Sequence, residues 1–103
     1  MCGDRLWVFE RVVGAYLEGF DTRIEHNVQT KTECEKLCLM ETEFTCRSAE
    51  YDESLNTCNL SREDRRSQPN AFKRLRNSNV DYLENQCVRC KSTVYSTDMF
   101  PTK

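Results

Sequence analysis

Seven cysteines, at positions 2, 34, 38, 46, 58, 87 and 90, constrain this 103-residue chain more than any other feature. Seven in 103 is nearly 7%, close to the density of a disulfide scaffold. Disulfides persist in oxidising compartments, so an extracellular location is expected. Cys34, Cys38, Cys46 and Cys58 sit together in the middle, and Cys2, Cys87 and Cys90 lie near the two ends. That distribution predicts a small domain stapled at its centre and joined at its termini.

The length fits one domain. With 38% hydrophobic and 31% charged residues the chain is polar, and its core must be modest. Disulfides, each contributing about 2–4 kcal/mol, supply the missing stability. No stretch approaches the ~20 apolar residues of a membrane span. Met1-Cys2-Gly3-Asp4 lacks the basic and then apolar segments of an export signal. The expectation is therefore a domain taken from a larger secreted or membrane-tethered protein, with Met1 foreign to it.

The net charge of −2 hides an asymmetry. Residues 1–61 hold 6 basic and 12 acidic groups, a net of −6. Residues 62–76 hold six basic groups (Arg62, Arg65, Arg66, Lys73, Arg74, Arg76) and two acidic ones, a net of +4. Such a segment suits an anionic partner. Its plainer reading is a solvated loop whose arginines meet the acidic body.

Leu6-Trp7-Val8-Phe9 with Val12-Val13 reads as a strand. Gly14 and Gly19 punctuate a short extended piece around Tyr16-Leu17. A helix is expected over about 31–41. Thr32 with Glu35, or Thr30 with Glu33, supplies its capping box, and Cys34 and Cys38, four apart, share its inner face. Residues 44–51 and 55–60 read as a hairpin across Asp52-Glu53-Ser54, with Cys46 on one strand and Cys58 on the other. Residues 61–79 read as a polar loop anchored by a buried Phe72. Val80–Asn85 alternates as a last strand leading into Cys87, and the tail from Lys91 reads as frayed. Trp7, Phe9, Tyr51, Leu55 and Tyr82 are expected in the core.

Sequence alone does not choose among the pairings of six cysteines. A helix presenting Cys34 and Cys38 on one face favours Cys38 with Cys46 across the short connection, Cys34 with Cys58, and Cys2 with Cys87. At this point the chain resembles a known family. Glu33-Cys34-Glu35-Lys36-Leu37-Cys38, Phe44-Thr45-Cys46-Arg47-Ser48-Ala49-Glu50-Tyr51 and Cys58-Asn59-Leu60-Ser61 resemble PAN/apple domains over residues 2–87. The resemblance implies first-to-sixth, second-to-fifth and third-to-fourth pairing: Cys2–Cys87, Cys34–Cys58 and Cys38–Cys46. It also implies an α+β fold, a curled antiparallel sheet of about five strands packed on one α-helix. Glu63-Asp64-Arg65-Arg66 and Asp81–Cys87 are most similar to PAN domains of invertebrate extracellular matrix proteins that also carry a zona-pellucida domain.

Cys90 departs from the six-cysteine pattern. It is read as unpaired or as a link to a neighbouring domain, in a tail or linker covering 88–103, with Cys2–Cys90 left open as an alternative pairing. A redox role for Cys87-x-x-Cys90 lacks its βαβ setting. The helical spacing of Cys34 and Cys38 argues against zinc, so no metal or cofactor is expected. His26, the only histidine, lies in a polar stretch and reads as a surface residue, and no catalytic group is assigned. Asn59-Leu60-Ser61 is an N-glycosylation sequon, and Asn59 at the strand end is taken as the candidate glycosylation site. By resemblance the chain is a non-catalytic extracellular module contacting proteins or glycans, monomeric when isolated, with no nucleic-acid partner and no membrane contact except through its parent. The alternative is a glycosaminoglycan-binding module using the basic segment.

Overall fold

The strands pair in the order β1-β7-β4-β5-β3, every neighbour antiparallel, so the first and last strands lie side by side. They are β1 (Phe9–Val13), β3 (Arg23–Glu25), β4 (Ser48–Asp52), β5 (Thr57–Ser61) and β7 (Val80–Asn85). A second sheet of two strands pairs β2 (Ala15–Leu17) with β6 (Phe72–Arg74). Among the described residues one α-helix, α1 (Lys31–Met40), and a short 3-10 turn at Pro69–Ala71 complete the fold. This computed structural model describes residues 8–75 and 78–87. Leu6, Trp7, Cys2, Arg76, Cys90 and the tail lie outside the described residues.

The small α+β fold, with one helix on a five-stranded antiparallel sheet, is the one expected from the sequence. The helix begins at the earlier of the two boxes. Thr30 Oγ1 accepts from Glu33 N–H at 3.1 Å, and Glu33 Oε1 accepts from Gln29 N–H at 3.0 Å. Its inner face buries Cys34 and Cys38. Disulfides join Cys34 to Cys58 on β5 and Cys38 to Cys46, with Cα–Cα distances of 5.5 and 5.3 Å. Around them pack Val28, Ala49, Tyr51, Leu60 and Leu83.

Side chains alternate along a strand, so the sheet has two different faces. The helix covers Ala49, Tyr51, Cys58, Leu60 and Leu83. The opposite face carries Ser48, Glu50, Asn59, Ser61, Tyr82 and Glu84, and β2–β6 folds over part of it. Ala15, Leu17 and Tyr82 form a second core there, against Val12, Phe20, Ala71 and Phe72. Gly14 turns β1 into β2 with φ +68°, and a Cβ there would stand 2.9 Å from the Leu75 carbonyl oxygen. The same turn binds Leu75 N–H to Gly14 O at 2.6 Å, so glycine is needed for both conformation and room.

Three expectations are corrected. Cys46 is not on a hairpin strand. Its carbonyl accepts from the Asn85 side chain at 2.9 Å and its sulfur is tied to the helix, so the ladder begins at Ser48. Leu55 is 68% exposed, because it sits in the β4–β5 turn held by Asp52 Oδ1. Residues 61–79 are not all loop: Phe72–Arg74 pairs with β2, and Phe72 is half-buried, its ring edge-on to Tyr82 at 4.9 Å.

Candidate functional site

The cross-strand register places Glu50 of β4 directly between Tyr82 of β7 and Asn59 of β5. A carboxylate in the middle of a sheet is unfavourable unless something meets it. Here the incoming β2 does so in part: Leu17 N–H donates to Glu50 Oε2 at 2.7 Å. Glu50 is 7% exposed. Burial, with Asp21 nearby adding its negative charge, pushes its carboxyl up to about 8.

Glu50 lies at a cleft of about 330 Å³ between the two sheets. Tyr16, Glu18 and Asp21 come from β2 and the segment after it, and Asp52, Thr57 and Asn59 from the β4–β5 hairpin. Leu55 and Val80 add apolar surface. Asn59 Nδ2 donates to Asp21 Oδ2 at 3.1 Å. Burial raises the Asp21 carboxyl from its ordinary value, and the Asn59 bond partly offsets this. The cleft thus offers acceptors, a phenol ring and short apolar edges. It has no pair of groups arranged as nucleophile and base. Among the described residues no three His, Cys, Asp or Glu side chains are grouped to hold a metal ion.

The basic segment meets the same face one row further along. Glu84 is fully buried and pairs across β7–β4 with Ser48. Arg65 Nε lies 2.6 Å from Glu84 Oε1 and Arg65 Nη2 lies 2.6 Å from Glu10 Oε1. Arg66 Nε lies 3.4 Å from Glu84 Oε2. Tyr82 completes the group, its hydroxyl accepting from Arg65 N–H at 2.8 Å and donating to Glu84 at 3.2 Å. Desolvation raises the Tyr82 phenol well above its ordinary value, which keeps it a donor.

The six basic residues are therefore not one surface. Arg65 and Arg66 are anchored to buried Glu84. The Arg62 guanidinium lies 5.6 Å from the Phe44 ring centre, with Arg23 at 5.5 Å from the same ring. Arg23 itself pairs with Glu41 and Glu43. Lys73 and Arg74 are exposed on β6 and make no ion pair among the described residues. Asn59 is half-buried in the cleft wall, and His26 is exposed. Cys87 is buried beside Val8 and bonds to no cysteine among the described residues.

Sequence reasoning missed Glu50, Asp21 and the Arg65–Glu84 pair. A partial signal was present: Ser48-Ala49-Glu50-Tyr51-Asp52 alternates polar with apolar, which places Glu50 on the polar face of a strand but does not show that β2 covers that face.

Comparison with known protein families matches residues 2–87 to the PAN domain. No curated protein matches the chain.

Proposed function

The chain belongs to the PAN domain family, and from that premise we propose that it contacts its partner through the cleft at Glu50. PAN domains are extracellular modules that bind proteins or carbohydrates and are generally non-catalytic. Among the described residues no helix is long and apolar enough to cross a membrane. The domain acts as a non-catalytic contact module of a larger extracellular matrix or cell-surface protein, of the apical-matrix, zona-pellucida-bearing kind that its closing segments resemble. Cys87 pairs with Cys2, and Cys90 links the domain to a neighbouring one. The observation that carries the reading is Glu50: a nearly buried carboxyl, bonded on one oxygen, at the edge of an open cleft. The Leu17 bond uses one oxygen to hold β2, and the second oxygen is left for a group entering the cleft.

The test is an array of extracellular glycans and secreted proteins probed with the oxidised domain. Ligands bound by the native chain should be lost with Tyr16→Ala combined with Asn59→Ala. Signals identical for the two proteins count against the cleft.

Exposure of Lys73 and Arg74 favours a second reading, a polyanion contact on β6. Arg65 and Arg66 are held by Glu84 and contribute less to it. Retention on heparin well above physiological salt, lost on Lys73→Ser with Arg74→Ser, supports this second reading; elution at or below physiological salt opposes it.

A further inference from the structure

We propose that the cleft receives a lysine or arginine side chain of a partner protein. The proposal rests on reading the cleft as the contact site and names the chemistry it takes. Three carboxylates, on Glu18, Asp21 and Asp52, line it beside the Glu50 carboxyl, which gives up its proton when a cation enters, and among the described residues no lysine, arginine or histidine lines it. A cleft walled by one sign of charge concentrates its field on the opposite charge.

The second observation is independent of that cluster. Glu50 is more than nine-tenths buried, yet only its Oε2 has a partner, the Leu17 N–H. No described residue bonds its Oε1, which leaves a buried polar atom facing the cleft without a partner. A donor entering the cleft satisfies that oxygen. An N–H donor carrying positive charge also offsets the Asp21 charge beside it.

The rest of the lining fits such a side chain. Tyr16 offers a ring for a cation to rest on, and Leu55 and Val80 offer apolar surface for an aliphatic stem. The volume, about 330 Å³, is at the small end of ligand pockets. A bare metal ion is the other cation to consider. The carboxyls do not gather for one, since no three acidic, His or Cys groups among the described residues are placed to hold it.

The test uses the oxidised, ¹⁵N-labelled domain and three probes followed by NMR. The first is acetyl-Gly-Arg-Gly-amide; the second replaces arginine with citrulline, which keeps the shape and removes the charge; the third is a set of neutral oligosaccharides. The proposal expects saturable shifts of the Leu17, Glu50 and Asn59 amides with the arginine peptide. It expects at least tenfold weaker binding of the citrulline peptide, and a loss of at least threefold with Asp21→Asn. Asp21→Asn keeps an oxygen to accept from Asn59, and Glu50→Gln, which retains the acceptor for Leu17, should give a similar loss. Equal binding of the two peptides overturns the proposal. So does the absence of saturable cleft shifts up to the solubility limit of the arginine peptide. Cleft shifts with an oligosaccharide alone overturn the cation and leave the cleft as contact site; shifts with no probe overturn both.

Discussion

Arg65 Nε stands 2.6 Å from Glu84 Oε1, a carboxylate with no exposed surface, and this contact fastens the basic segment to the sheet. Removing Arg65 takes from the buried Glu84 its shortest charged contact and leaves the longer one to Arg66. Arg65→Ala is therefore expected to destabilise the domain by about 3 kcal/mol. Arg66→Ala, at a side chain 61% exposed and 3.4 Å away, is expected to cost under about 1 kcal/mol. Urea unfolding of the two oxidised variants checks this. Equal losses would show that Arg65 is an ordinary surface charge.

The Glu50 carboxyl predicts an unusual pH dependence. Its folded value is raised from 4.5 to about 8, so the folded chain keeps a proton that the unfolded chain releases. This group's contribution is complete below about pH 4.5 and declines as pH rises toward 8. Glu50→Gln keeps the acceptor for Leu17 N–H and removes the titration. At pH 8.5 the variant should be more stable than the native domain by about 3 kcal/mol, since each tenfold change in proton affinity is worth ~1.4 kcal/mol and relaxation of the charged state takes back part of the total. The two should converge near pH 4.5. Thermal unfolding across that range decides it, and a variant less stable at pH 8.5 would contradict the burial argument.

The two disulfides should differ in weight. Cys34–Cys58 spans 24 residues and Cys38–Cys46 spans 8. The longer loop loses more entropy in the unfolded chain, by about 1 kcal/mol on the logarithmic scaling. Replacing both Cys34 and Cys58 with alanine should cost about 2–5 kcal/mol, and replacing both Cys38 and Cys46 about 1 kcal/mol less. A non-reducing peptide map of the same protein should join Cys2 to Cys87. The β1–β7 register, Phe9 opposite Asn85, sets the start of β1 beside the end of β7. A Cys87–Cys90 or Cys2–Cys90 peptide would contradict that pairing.

Asn59 carries a sequon whose acceptor nitrogen is bonded to Asp21 in the cleft wall. A glycan there would fill the cleft. If the cleft is the contact site, the domain from a secretory host should show no glycosidase-sensitive mass. A fully occupied Asn59 would move the contact site elsewhere.

Local signals made much of this fold legible. Two overlapping boxes, Thr30 with Glu33 and Thr32 with Glu35, bracket the helix start, the spacing of Cys34 and Cys38 gives its inner face, and Asp52-Glu53-Ser54 the hairpin turn. What was not legible depends on contacts far apart in sequence. Phe72–Arg74 is three residues long with two charges, and is a strand only because β2 lies beside it. Cys46 leaves the ladder because Asn85, 39 residues away, takes its carbonyl. That the arginines meet the acidic body is legible, but that Arg65 and Arg66 meet Glu84 follows only once the sheet brings it beneath them. The cleft draws on β2, β4, β5 and the turns between them, so no single segment announces it.

The cleft at Glu50, and not the exposed pair on β6, is proposed to make the contact, and one comparison separates the two. It is the affinity of one array-identified ligand for three proteins: the native domain, Asp21→Asn with Asn59→Ala, and Lys73→Ser with Arg74→Ser. Contact through the cleft predicts at least a tenfold loss for the cleft variant and an unchanged affinity for the β6 variant. A tenfold loss in the β6 variant with the cleft variant unaffected would refute it.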